Sequence, residues 1–290
     1  MASNGQIPAP FPAPFVVGVS RSGTTLLRLM LDAHPQLAIP AESRFLPELI
    51  ERVRGGADRA AAADFVTGHE RWADFGLDAG AFRARVEALP ELGAGPVARA
   101  FFELYAEGQG KPRWGDKSPP YVTAMPAIHD ALGEARFIHL IRDGRDVAVS
   151  LMARDWGAHN PRRIARRWAS EVRAGREACA VLGGDVCLEV RYERLVADPE
   201  GVLREVCAHI ELDYDPAMLA YHERAPRRLA ELGDLEARTA AERATQFERV
   251  REPLSGERAG AWRRELGDED RAAFEAIAAE LLAELGYPTQ

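Results

Sequence analysis

The residues at 18–25, GVSRSGTT, have the composition of a phosphate cradle. They follow an apolar run, FVVGVS at 15–20, and open a helix-like stretch, TTLLRLMLDA at 24–33. A turn of this kind aims backbone N–H groups and the positive end of a helix at one point, which attracts an anion. Gly23 lets the backbone come close to a phosphate. Ser22, Thr24 and Thr25 add hydroxyl donors, and Arg21 supplies the charge. The spacing is that of GxxxxGK[ST], with Thr24 where the lysine of nucleoside triphosphatases belongs. A phosphate-like group therefore fits better than ordinary Mg-ATP chemistry, and a P-loop kinase or NTPase is the alternative enzyme reading. A second anion site is read at RFIHLIRDGRDVAVS, 136–150. Here Arg142 leaves the carboxyl end of a strand and Ser150 lies on the helix that follows. Ligands of open parallel sheets bind at the carboxyl ends of strands, so the two sites are neighbours. A guanidinium fork and a hydroxyl suit a second phosphate.

The elements that must position these groups alternate. Strands are expected at 15–20, 37–41, 136–142 and 186–192, and helices at 24–33, 161–182 and 268–285. Residues 45–110 read as helical, with breaks at Gly55-Gly56 and Gly93–Pro96. Such alternation predicts an α/β fold with a central parallel sheet flanked by helices on both faces and with helical insertions. Residues 1–13 are expected to be a flexible Pro-rich leader, and 14–290 one domain.

The composition bounds the partners. The chain has 290 residues and a formal net charge of −8, with 45 acidic against 37 basic side chains. Generic nucleic-acid binding is disfavoured by that balance. Only Lys111 and Lys117 are lysines, so each carries more information than one of the many arginines. Cys179, Cys187 and Cys207 make an odd count without a CxxC, which predicts small buried hydrophobes rather than a disulfide or a zinc site. No metal-ligand spacing is visible. No apolar run reaches the ~20 residues of a membrane span, and the N-terminus lacks the pattern of a signal peptide. A cytoplasmic protein is expected.

Taken in order, RSGTTLLRLMLDAHP, AESR, GDKSP, FIHLIRDGRDVAVS and RYERLVADP resemble the sulfotransferases that use 3′-phosphoadenosine-5′-phosphosulfate (PAPS). The pattern is that of the protein-tyrosine sulfotransferases and their bacterial relatives. The resemblance implies a P-loop-like, three-layer α/β fold and transfer of a sulfuryl group from PAPS to an acceptor hydroxyl or amine, by in-line displacement and without a metal. By the same resemblance Arg21 through Thr25 hold the 5′-phosphosulfate, and Arg142 and Ser150 the 3′-phosphate. Glu42 falls at the position of the general base, Lys117 at that of a lysine facing the reacting centre, Tyr192 at that of a cofactor-lining tyrosine and Arg44 at that of an acceptor-side arginine. The assignments suit the reaction: loop amides, Arg21 and Lys117 stabilise a leaving phosphate, and a carboxylate at Glu42 takes the acceptor proton. His129, His139 and His159 are alternative bases. A nucleotide-binding relative without transfer activity is the non-enzyme alternative, opposed by the intact Glu42 and Lys117.

Two departures from the family pattern stand out. No membrane anchor or secretory disulfide pattern is read, which disfavours a secreted protein-tyrosine substrate. The position before Pro253, a lysine in the tyrosine enzymes, is Glu252, leaving Arg249, Arg251 or Arg258 to supply the charge. The acceptor, whether small molecule, lipid, sugar or peptide, leaves no readable motif.

Overall fold

The computed structural model describes residues 11–153, 159–230 and 252–289. Its main sheet is built from β1 (Ala13–Gly18), β4 (Asp116–Lys117), β5 (Ala135–Ile141) and β6 (Cys187–Arg191), all parallel, in the order β4-β1-β5-β6. Every residue of β1 is buried, as a central parallel strand covered on both faces requires. A separate pair joins β2 (Leu37–Ala38) to β3 (Arg113–Trp114). The expected second strand at 37–41 thus exists but lies outside the main sheet. β1 begins at Ala13, the last residue of the expected leader. Residues 1–10 of that leader lie outside the described residues.

Among the described residues the α-helices are α1 (Thr24–Asp32), α2 (Leu46–Arg54), α3 (Arg59–Thr67), α4 (Ala79–Glu87), α5 (Ala94–Gly108), α6 (Met125–Ala131), α7 (Gly144–Met152), α8 (Pro161–Leu182), α9 (Tyr192–Ala197), α10 (Pro199–His209) and α11 (Tyr221–Ala230), followed by a single turn, Trp262–Glu265, and a C-terminal helix, Asp268–Glu284. One core joins β1 and β5 to α1 and the helical insertion, through Phe15, Phe45, Phe101 and Phe102. A second lies beneath α7, α8 and the C-terminal helix, around Trp168 and Phe274. The architecture is the α/β arrangement that the alternation of elements implies. Among the described residues, no helix is long and apolar enough to cross a membrane.

One expectation fails outright. Cys179 and Cys187 form a disulfide, and only Cys207 is a free, buried thiol. The chain turns at Gly183, with φ 84°, between the end of α8 and the start of β6, and so brings residues eight apart face to face. Counting cysteines gave no sign of this pairing, because the third cysteine is buried elsewhere.

Candidate active site

The loop from Gly18 to Thr24 joins β1 to α1. Gly23 caps α1 at φ 95°, and no side chain caps the helix. The amides of its first turn are therefore open to a ligand. A side chain at Gly23 would collide with the ring of Tyr192, since a Cβ there would lie 2.5 Å from Cδ2. Arg21 sits in the left-handed region at φ 74°, an uncommon conformation for an arginine. Its Nε donates to Ser150 Oγ at 3.2 Å. Ser22 is fully buried, and its hydroxyl has no protein partner.

Arg142 follows β5 and binds this loop directly. It donates to the carbonyl of Arg21 at 3.2 Å and to that of Arg258 at 2.7 Å. Its guanidinium lies 4.3 Å from the ring centre of Tyr192, and its buried Nε has no partner. Trp168 donates to the Arg142 carbonyl at 3.1 Å, fixing the strand end. Asp146 lies 3.8 Å from Arg142 and accepts the backbone N–H groups of Gly260 and Trp262 at 2.8 and 2.9 Å. That draws the segment around Arg258 over the site. Burial raises the Asp146 carboxyl, against the pull of Arg142 and these amides.

Glu42 and Lys117 meet beside this region. Lys117 Nζ donates to Glu42 Oε1 at 2.6 Å, and both side chains are almost fully buried. Arg44 donates through Nε to Glu42 Oε2 at 2.7 Å and also through Nη2. Burial by itself would raise the Glu42 carboxyl. The ammonium of Lys117 and then the guanidinium of Arg44 overcome it and hold the group at about 2, against its ordinary 4.5. Glu42 is therefore ionised at neutral pH. Lys117 belongs to β4, where it pairs in register with Val16, so the strand places it next to the loop after β1. Arg44 also has positive φ, 56°.

A supporting layer escaped the sequence reading. Tyr121 Oη lies 2.9 Å from Ser43 Oγ and accepts the N–H of Leu46 at 3.0 Å, and the Arg44 N–H reaches Ser118 Oγ at 3.4 Å. Asp116 is fully buried, and burial pushes its carboxyl up to about 6. Together these residues lock the Glu42 loop against β4. A Tyr-Ser-Asp set scattered over 78 residues has no sequence signature.

Arg21, Ser22, Gly23, Thr24, Arg142, Ser150 and Tyr192 thus gather at one place, through the Arg21–Ser150, Arg142–Arg21 and Tyr192–Arg142 contacts, and Thr25 continues α1 from the same turn. Glu42, Arg44 and Lys117 form one ion-paired group. His139 is fully buried, and His159 is exposed. Arg249 and Arg251 lie outside the described residues. Arg258 reaches the site through its carbonyl, while its side chain pairs with Glu265 at 2.7 Å.

The Sulfotransferase family model matches residues 12–216. The chain belongs to the sulfotransferase family. It is 26% identical over 226 residues to a protein-tyrosine sulfotransferase of Drosophila melanogaster, covering 73% of this chain and 40% of that protein's length. In structure it is similar to the sulfotransferase domain of the Synechococcus PCC 7002 olefin synthase, with TM-score 0.68, 24% identity, and coverage of 97% of this chain and 96% of that one. A mouse sulfotransferase complexed with PAP gives TM-score 0.50 at 13% identity, over 93% of this chain and 83% of that one. The family and the α/β fold are the ones implied by the motifs.

Proposed function

We propose that this protein transfers a sulfuryl group from PAPS to an acceptor hydroxyl or amine. The observation that carries the reading is the pairing of two anion-binding groups with an ionised, lysine-paired carboxylate beside them. The residues fit a bisphosphorylated nucleotide. Ser22 Oγ and Arg142 Nε are buried polar atoms without protein partners, and the first turn of α1 lacks a capping side chain. The mouse sulfotransferase is complexed with PAP, the bisphosphate left after such a transfer. The assigned roles are those the family resemblance implies. Arg21 through Thr25 bind the 5′ side, Arg142 and Ser150 the 3′-phosphate, and Tyr192 packs beside them. Glu42 is the base, Lys117 and Arg21 stabilise developing charge, and Arg44 faces the acceptor. No role is assigned to a metal in the transfer, and the protein is placed in the cytoplasm.

PAPS supplies an activated sulfuryl group on a good leaving phosphate; by analogy with phosphoryl transfer, positioning and charge stabilisation are the protein's main tasks. The chain's own groups set the proton balance. In the ion-paired state Glu42 is too weak a base to take a hydroxyl proton, because Lys117 and Arg44 stabilise its charge. Drawing the Lys117 ammonium toward an anion removes the larger of those two pulls. The Glu42 carboxyl then rises, since burial opposes its charge, and its basicity appears where it is needed. Lys117 thereby couples nucleotide binding to proton removal. A kinase reading fares worse, because Thr24 occupies the position of the required lysine.

The acceptor is proposed as a hydroxyl, with a tyrosine-containing peptide as the first candidate on the strength of the fly relative. The test is PAP release from PAPS in the presence of phenols, aliphatic alcohols, amines and a tyrosine peptide. Wild-type protein should release PAP with at least one of these, and Glu42→Ala should bind PAP normally yet lose most turnover. Undiminished turnover in Glu42→Ala would remove Glu42 as the base. Turnover of Mg-ATP but not PAPS would remove the sulfotransferase reading.

A further inference from the structure

Where β5 pairs with β6 beneath α8 lies a cluster that the transfer reaction does not use. His139 is fully buried, and neither ring nitrogen has a hydrogen-bond partner. Buried imidazoles ordinarily find one, because an unpaired polar group in the interior is costly. The ring is overlaid by α8 at Gly175, where a Cβ would lie 2.6 Å from Nε2. Its Nδ1 faces Glu189 Oε1 at 3.8 Å, too far for a hydrogen bond. Glu189 is the register partner of His139 on β6. Cys187 lies two residues before Glu189 and so projects from the same face of the strand. Cys179 arrives from the last turns of α8. The ligand atoms of His139, Cys179 and Glu189 all lie within 4.8 Å of one another.

We propose that His139, Cys179, Cys187 and Glu189, with the disulfide reduced, form a four-coordinate site for a divalent metal of zinc's softness. An imidazole, two thiolates and a carboxylate are ligands that zinc accepts, with N and O at about 2.0–2.2 Å and S at about 2.3 Å. Those lengths at a tetrahedral angle separate an N and an O ligand by roughly 3.3–3.5 Å. The observed 3.8 Å needs only a small closure. Charge also balances. Zinc with two thiolates, one carboxylate and a neutral imidazole carries −1, and the Arg176 guanidinium lies 3.5 Å from Glu189 Oε1. The fold supplies three independent elements, β5, β6 and α8, so no ligand spacing shows in the sequence.

The disulfide makes the site conditional. Its sulfurs are occupied by each other and cannot serve as thiolates. A dithiol reductant cleaves the bond by exchange, leaving two cysteine thiols here and a disulfide on the reductant. Metal binding then displaces two protons from the thiols to solvent. The oxidised form clips α8 to β6 through sulfur alone. The reduced, metal-loaded form clips α8 to both β5 and β6.

The test uses full-length protein, reduced with a phosphine and titrated with Co²⁺, whose thiolate complexes absorb characteristically, followed by displacement with Zn²⁺. One Co²⁺ per chain with thiolate absorption is expected, displaced by one Zn²⁺, and none in oxidised protein. Cys187→Ser and Glu189→Gln should each weaken binding. Loss of an outer partner alone typically costs about 10–100-fold, so loss of a ligand should cost at least about 100-fold. Both variants are to be checked for an unchanged fold by circular dichroism. Zinc should also raise the melting temperature of reduced but not oxidised wild-type protein. Absence of thiolate absorption in the reduced wild type would overturn the site. So would equal affinity in Glu189→Gln, which would reduce it to adventitious thiol binding. None of these readouts depends on turnover.

Discussion

Replacing Glu42 by glutamine tests the ion-paired centre most searchingly. The carboxyl is held at about 2 against an ordinary 4.5, with Lys117 and Arg44 as the causes that overcome burial. A depression of that size corresponds to on the order of 3 kcal/mol of stability favouring the ionised form. Because the folded value lies below the unfolded one, this contribution is complete above about pH 4.5. It is lost as the pH falls from there toward 2. Glu42→Gln removes it and also leaves Lys117, almost fully buried, without its carboxylate. Breaking one side of a buried pair typically costs about 3–5 kcal/mol. With an unfolding entropy of about 2.1 cal/mol/K per residue, a chain of 290 residues should lose roughly 5–8 °C in melting temperature at pH 7. The assay is urea unfolding of both proteins between pH 7 and 3.5. The stability gap should be constant from pH 7 to 5 and then shrink, at up to about 1.4 kcal/mol per pH unit. A variant as stable as wild type at neutral pH, or a gap that widens in acid, would refute the reasoning.

Other outcomes follow from the same geometry. Arg142→Ala removes a guanidinium whose two charged hydrogen bonds to a phosphate would be worth about 1.5–3 kcal/mol each. Affinity for adenosine 3′,5′-bisphosphate should fall at least about 100-fold by calorimetry, while AMP binding changes less than about threefold; equal losses would displace Arg142 from the 3′-phosphate. Gly23→Ala puts a Cβ into the Tyr192 ring at a φ of 95°. It should cost about 1–3 kcal/mol in thermal unfolding and lower bisphosphate affinity at least about tenfold. Wild-type affinity in that variant would show that the loop does not hold the nucleotide.

The phosphate loop and the Arg142 strand were legible because both are local: an apolar strand, a turn and a helix start in consecutive residues. Tyr192, Glu42 and Lys117 were reachable only through resemblance, since no spacing links residues 42, 117 and 192. Strands β3 and β4 have two residues each, too short for a period-two pattern, so the sequence does not show the strand whose register beside Val16 aims Lys117. The buried set of Asp116, Ser43 and Tyr121 forms through long-range contacts. The Arg145 guanidinium, fully buried between Asp143, Glu275 and the Trp262 ring, was hidden by a composition in which arginines are common. The disulfide was missed because the turn at Gly183, rather than the cysteine spacing, brings the two sulfurs together.

The measurement that tests the central proposal most directly is a thermal-shift titration with adenosine 3′,5′-bisphosphate beside AMP and Mg-ATP. A ligand that binds only the folded state raises the melting temperature by mass action, by about 2.7 kcal/mol of stability at a hundredfold excess over Kd. The paired anion sites at Arg21–Thr25 and Arg142–Ser150 predict a large rise with the bisphosphate, a small one with AMP and none with Mg-ATP. A rise with Mg-ATP that equals or exceeds the bisphosphate would contradict the account and point to phosphoryl chemistry in the same loop.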